Sequence, residues 1–256
     1  MTKDNTRQNQ AKPNVSKTHL PVAQEVEDIW RRLTQALLND KHLTSHKVVS
    51  ATRTDPANLS FDMLRTRLRQ AMADRGWTRV AVTAPTSGCG TSFVASNLAL
   101  AMSRFEDCRT VLMDLDLRKP SLDRILGVSP IAAIEEYLAG RIDPMDFFQR
   151  ARANLALGLN NHARMSAAEL FQDVMTTDVL DEMSDILSPE IVIFDMPAAL
   201  EHDDLLAFLP NVDGVLLVAG AGVSTADDVL KAERLIGDVK PLMGVVLNRA
   251  EGAVKV

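Results

Sequence analysis

The chain has 256 residues, 46% of them hydrophobic, with a formal net charge of −6 and a pI near 5.4. That length and apolar content suffice for one sizeable α/β core with extensions, and the acidic balance argues against an obligate nucleic-acid binder, which carries a basic face. The two cysteines, Cys89 and Cys108, show neither metal-ligand spacing nor a disulfide framework, so a reducing cytoplasm is the expected setting.

Residues 1–20 are polar, with Lys3, Arg7, Lys12 and Lys17 set against Asp4. They lack the apolar stretch of a signal peptide and are expected to form a solvated disordered arm, with weak attraction to anionic lipid as the sharper alternative. From Pro21 to about Asn39, the apolar residues Val22, Val26, Ile29, Trp30, Leu33, Leu37 and Leu38 recur at helical spacing and predict one amphipathic helix. A stretch rich in Thr, Ser and His follows through Pro56 and reads as a linker. The expected division is therefore an arm over 1–20, a helix and linker over 21–55, and an α/β domain over 56–256. A second helix is predicted from Leu59 to about Asp74, with Met63, Leu64 and Leu68 on one side and Gly76 ending it.

After Gly76 short β-branched runs alternate with helix-length segments. The runs are Arg79–Thr83, Thr110–Met113, Leu155–Leu159, Ile191–Phe194, Gly214–Val218 and Met243–Leu247. Most are apolar without alternation, as strands covered on both faces must be. Strands separated by helices imply right-handed βαβ units. The expected fold is α/β, a mostly parallel β-sheet with helices on both faces and an N-terminal helical extension. The most apolar helical run, Phe93–Met102, is interrupted by Ser96 and Asn97 and is shorter than the roughly 20 residues that span a bilayer.

The first of these strands runs into Thr83-Ala84-Pro85-Thr86-Ser87-Gly88-Cys89-Gly90-Thr91-Ser92, after which Phe93 to Leu100 opens a helix. Glycines in such a turn let backbone N–H groups converge on anionic oxygens, and the helix N-terminus adds partial positive charge. Ser92 stands where the hydroxyl of G-x-x-x-x-G-K-[ST] meets Mg²⁺. Pro85 replaces the first glycine of that pattern, and Thr91 replaces its lysine. The lysine offsets charge that develops on transferred phosphate; losing a comparable electrostatic stabiliser costs about 3–4 kcal/mol, a factor of about 10²–10³ in rate.

Later strands end in acids. Asp114 and Asp116, two residues apart in Val111–Pro120, could hold Mg²⁺ through waters and orient an attacking group. Arg118 could contact phosphate. Asp195 follows Ile191–Phe194 in the place of a Walker B aspartate, and Asn248-Arg249 closes the last strand. These features all fall at the carboxyl ends of strands, where open α/β sheets bind ligands.

With these residues in view, Leu59 to Asn248 resembles the bacterial tyrosine-kinase family (CpsD/CapB type) of capsular and exopolysaccharide synthesis, itself similar to MinD/ParA ATPases. The resemblance implies that Thr83–Ser92 is the Walker A loop, that Asp114, Asp116 and Arg118 form the D-x-D-x-R motif called Walker A′, that Asp195 before Met196-Pro197 is Walker B, and that Asn248 hydrogen-bonds adenine. It further implies ATP or ADP with Mg²⁺ as cofactors. Gly88, Cys89, Gly90, Thr91, Ser92, Phe93, Arg118 and Asn248 would then contact nucleotide. Ser92, Asp114, Asp116 and Asp195 would hold the metal, and Asp114 and Asp116 would be the catalytic pair of an active enzyme. The implied partner is a membrane polysaccharide copolymerase, which would bring the chain to the inner face of the membrane. A homo-oligomer is implied too, and nucleic acid is not.

The departures from the family are specific. Thr91 replaces the lysine and Cys89 the usual glutamate. The helix that reads E-A-F-R-T-L-R-T-N-L in the family keeps Leu64-Arg65-Thr66 but has Leu59 for the glutamate and Asp62 for the first arginine, which puts the family's ring in question. The only tyrosine is Tyr137, read as a packing residue, and no aromatic residue follows Asn248, so the family's C-terminal tyrosine cluster is expected to be missing. Cys89 reads as a small filler, with a redox-sensitive thiol the sharper reading. The histidines His19, His42, His46, His162 and His202 are not expected to cluster, and Asp203 and Asp204 read as acids at a helix start. Lys119 or Arg118 could substitute for the missing lysine, Lys119 being restricted by Pro120 after it.

The leading expectation is a nucleotide-binding regulator of a polysaccharide copolymerase with weak or absent kinase activity. The alternatives are an active ATPase or protein-tyrosine kinase using a substitute cation, and a MinD/ParA-like positioning ATPase. Against the last, Pro85–Gly88 lacks the extra lysine those proteins carry.

Overall fold

The computed structural model describes residues 23–51, 55 and 57–250. The expected N-terminal arm, the first two residues of the predicted first helix, Pro56 and the tail beyond Ala250 lie outside the described residues.

The elements, in chain order, are α1 (Ala23–Arg32), β1 (Thr34–Gln35), α2 (Asp40–Ser45), α3 (Asn58–Ala73), β2 (Arg79–Thr83), α4 (Thr91–Met102), β3 (Thr110–Asp114), α5 (Leu122–Leu126), α6 (Ile134–Leu138), α7 (Pro144–Phe147), β4 (Gln149–Arg152), β5 (Leu155–Gly158), α8 (Ala167–Phe171), α9 (Val174–Leu187), β6 (Ile191–Asp195), α10 (Asp204–Phe208), β7 (Gly214–Gly220), α11 (Ala226–Gly237) and β8 (Leu242–Asn248). The strands form one sheet in the order β1-β4-β5-β3-β6-β2-β7-β8. Every pair is parallel except β4 with β5.

Alternate strand residues feed two cores. Ala81, Val111, Met113, Val192, Phe194 and Leu217 pack with Val26, Trp30, Tyr137, Phe208 and Ile236 on one face. Val80, Val82, Leu112, Ile193, Leu216 and Val218 pack with Leu43, Leu68, Met72, Leu98 and Leu122 on the other. Burial on both faces is why the strand sequences show no polar alternation.

The predicted strands all form. The first predicted helix does not run to Asn39. It stops at Arg32 because Thr34 and Gln35 pair as a parallel edge with Gln149 and Arg150. Leu37, counted in the helical stripe, is left 78% exposed. The polar stretch read as a linker contains α2, whose Asn39 cap accepts hydrogen bonds from Lys41 and His42 N–H, and it sends Leu43 and Val48 into the core. His42 and His46 stack there with centroids 4.0 Å apart. On α3 the buried face is Phe61, Leu68 and Met72, with Leu64 partly covered, while Met63 is exposed. Asp62 turns toward the protein's own cations, 2.7 Å from Arg104 and 3.1 Å from Arg65.

Tyr137 is fully buried, stacked on Phe147 at 4.2 Å, and donates from its hydroxyl to Val179 O at 3.1 Å. Burial pushes its phenol far above the ordinary range. The structure makes it a packing residue. Tyr137→Ala is expected to cost about 3–5 kcal/mol and Tyr137→Phe about 1 kcal/mol, measured by urea unfolding.

Candidate nucleotide site

β2 delivers the chain into the turn before α4. Gly88 and Gly90 take φ of +86° and +89°, left-handed conformations open to glycine at little cost. A Cβ on Gly90 would also lie 2.3 Å from Asn248 Nδ2. The turn thus meets the helix N-terminus with its N–H groups converging, a concavity suited to an anion.

This loop is held from two sides. Ala199 N donates to Ala84 O at 2.8 Å and Leu200 N to Pro85 O at 3.1 Å, and both the N–H and the hydroxyl of Ser87 donate to the Glu201 carboxylate at 2.6 Å. The ordinary Glu201 pKa is lowered by those Ser87 hydrogen bonds. On the other side Asn248 Nδ2 donates to Cys89 O at 2.8 Å, and Cys89 Sγ donates to Thr86 O at 3.1 Å beside the Ser224 hydroxyl at 3.0 Å. Cys89 is fully buried, which favours the reading of a small filling residue over that of a redox-sensitive thiol.

The register of β3 against β6 sets Asp114 opposite Asp195, and β2 against β6 sets Val82 opposite Asp195. Both acids are fully buried. Asp114 Oδ2 accepts from Ser121 N at 3.0 Å and Leu122 N at 2.9 Å, but its Oδ1 and both oxygens of Asp195 have no hydrogen-bond partner. Desolvation raises the Asp114 pKa, opposed by those two backbone donors. Desolvation and then the neighbouring Asp114 raise Asp195, with the Ser92 hydroxyl nearby opposing the shift. Burial also raises Asp116, whose Oδ1 accepts from Lys119 N at 3.0 Å.

Above these acids opens a cleft of about 280 Å³ lined by Gly88, Thr91, Ser92, Asp116, Lys119 and Arg249 with their neighbours. Phe93 separates it from a more apolar cavity of about 450 Å³ bounded by Phe61, Leu64, Val246 and Asn248. Gly88, Gly90, Thr91, Ser92, Phe93 and Asp116 therefore share one cleft. Asp114 and Asp195 lie buried at the carboxyl ends of its strands, and Asn248 braces it through Cys89.

Arg118 is placed differently. Its Nε and one terminal nitrogen donate to the Asp204 carboxylate at 2.5 and 2.9 Å, and Asp204 is fully buried. The guanidinium is committed to the protein rather than free for phosphate. Asp204 does stand at the start of α10, as read, and is also the counter-charge of Arg118, 86 residues away in sequence. Nothing local in the sequence marked Glu201 as the partner of Ser87 or Asp204 as the partner of Arg118.

The donors here are all oxygen, the set Mg²⁺ takes, and the orphaned oxygens of Asp114 and Asp195 are acceptors that a hydrated cation satisfies. Among the described residues no three His, Cys, Asp or Glu side chains gather as a metal cage. Asp114, Asp116 and Asp195, expected together as metal ligands, therefore do not form a ready cage by themselves. The site fits Mg²⁺ and a phosphate ligand.

Folding raises the Asp114 and Asp195 pKa values above the ordinary 3.8. Their stabilising contribution is therefore complete below that ordinary range and is lost as pH climbs through the raised values. Asp195→Asn, neutral at every pH, is expected to raise the melting temperature of ligand-free protein by about 2–4 °C at about pH 8 and to lose that gain at about pH 4. Arg118→Ala strands the buried Asp204 and is expected to cost about 3–5 kcal/mol in urea unfolding, most of it recovered when Asp204→Ala is added.

No family model matches the chain. It is 28% identical over 214 residues to the succinoglycan biosynthesis transport protein ExoP of Rhizobium meliloti, covering 81% of this chain and 26% of ExoP. The chain spans about a quarter of the length of the curated relatives it matches first. Among solved structures, the kinase domain of the Escherichia coli tyrosine kinase ETK superposes with a TM-score of 0.70 at 26% identity, covering 82% of this chain and 83% of that one. The septum site-determining protein MinD of Pyrococcus horikoshii, solved with Mg-ADP, shares the fold at a TM-score of 0.55 and 18% identity, covering 70% and 72% of the two chains. Sequence and fold together make the chain similar to the tyrosine-kinase domains of bacterial exopolysaccharide proteins, on a mostly parallel P-loop NTPase fold, with Thr91 where the phosphate-loop motif carries lysine.

Proposed function

We propose that this chain is a nucleotide-binding regulator in exopolysaccharide biosynthesis that acts on a membrane polysaccharide copolymerase, with phosphoryl transfer weak or absent. The observation that carries the reading is a well-formed phosphate loop whose lysine position is Thr91. Binding and catalysis make different demands on such a loop. Backbone N–H groups and the start of α4 hold an anion without the lysine. Stabilising charge on a transferring phosphoryl group requires a positioned cation, which a threonine hydroxyl does not supply.

In this reading Ser92 and Asp116 hold Mg²⁺ through oxygen and water, and Asp114 and Asp195 accept hydrogen bonds from that hydration shell. Mg²⁺ neutralises phosphate charge when bound. Phe93 and Asn248 flank the base. Asp62, engaged by Arg104 and Arg65, is unavailable for subunit contacts through that position. Among the described residues no helix is long and apolar enough to cross a membrane, which suits a subunit that reaches the membrane through its partner.

Calorimetry with ATP and ADP, with and without Mg²⁺, should show binding. Phosphate release from Mg-ATP should stay at the buffer rate and rise about 10²-fold in Thr91→Lys. Wild-type turnover that disappears in Asp114→Ala would establish the active-kinase alternative instead.

A further inference from the structure

The cleft contains a charge imbalance that its own loop does not correct. Thr91 is neutral, Asp116 lines the cleft, and Asp114 and Asp195 are buried at the ends of its strands. A di- or triphosphate adds several more negative charges. Arg118 is tied to Asp204. Two other cations line the cleft, Lys119 and Arg249. Neither forms an ion pair or a hydrogen bond to phosphate-loop residues, and among the described residues neither forms an ion pair at all.

Their positions in the sheet are complementary. The phosphate loop follows β2. Lys119 follows β3, two strands to one side, and Arg249 follows β8, two strands to the other. The ammonium of Lys119 is exposed and acts through space on Asp116 and Glu201. Arg249 adopts φ +59°, a left-handed conformation that costs a non-glycine residue of order 1 kcal/mol. A glycine there would hold the same backbone without strain.

We propose that Lys119 and Arg249 form a two-armed phosphate clamp that supplies from the flanking strands the positive charge missing at Thr91. The proposal rests on the nucleotide-binding reading and assigns to it the residues that recognise the phosphate chain. It also accounts for binding without efficient transfer. Cations at the cleft walls attract a polyphosphate, but they are not fixed by the loop against the transferring group as the absent lysine would be.

The test is calorimetry with ADP, inorganic pyrophosphate and adenosine on Lys119→Gln, Arg249→Gln and the double variant, each in the wild-type and Thr91→Lys backgrounds. Each single change is expected to weaken ADP and pyrophosphate about tenfold and the double change about a hundredfold, leaving adenosine unaffected. With Thr91→Lys present, the single penalties should fall to about threefold or less, the non-additivity expected of groups serving one charge. Arg249→Gly should melt no lower than wild type while losing phosphate affinity, which a purely structural role for Arg249 would not produce. Wild-type binding of ADP that these substitutions leave within about twofold overturns the clamp alone. Failure of the wild type to bind ADP or pyrophosphate overturns both the clamp and the nucleotide reading.

Discussion

Two carboxyl groups side by side in a dry interior govern this molecule. Asp114 and Asp195 are opposite one another in register, fully buried, and leave three of their four oxygens without a partner. Burying unpaired charge is costly enough that the groups shift their protonation instead. A sheet selected for stability alone would carry apolar residues there, as it does one position earlier at Met113 and Phe194. In the proposed reading a hydrated cation sharing the space would offset that cost.

The phosphate loop is the second half of the same construction. Its first arm is zipped to the segment after β6 through Ala199, Leu200 and Glu201, and its middle is tied to the ends of β7 and β8 through Ser224 and Asn248. Such a loop has its conformational entropy removed before any ligand arrives, which favours binding. The same bonds explain Gly90, since the approach of Asn248 leaves no room for a side chain. Preorganisation and charge are separable here. The loop has the first, and the position that would supply the second is the neutral Thr91.

Most of the strands legible in the sequence are those whose burial is symmetrical. Strands covered on both faces read as unbroken apolar runs, as β2, β3, β5, β6 and β7 do, while β8 at the sheet edge was legible from its apolar run although Val245 and Leu247 are exposed. β1 and β4 were invisible for the opposite reason. Thr34-Gln35 at the sheet edge and Gln149-Arg150 beside it are polar, held by backbone pairing that any residue but proline can make. Helical periodicity across Leu33, Leu37 and Leu38 continued past the true end of α1 because spacing does not report where a backbone finds another partner. Met63 was misplaced on α3 because the buried face is defined by Phe61 and Met72 as well as Leu64 and Leu68.

By itself the sequence determined the fold class, the order of the strands' carboxyl-end residues, and the neutral Thr91, since each is written in consecutive residues or in a fixed local spacing. Tertiary structure alone decided which charges meet. Arg118 finds Asp204, Ser87 finds Glu201, and Cys89 finds Asn248 across 86, 114 and 159 positions. The physical reason is that a side chain's partner is set by strand order and register, here β3, β6, β2, β7 and β8 side by side. Local pattern fixes the strands, but their neighbours are chosen by the packing of the whole sheet.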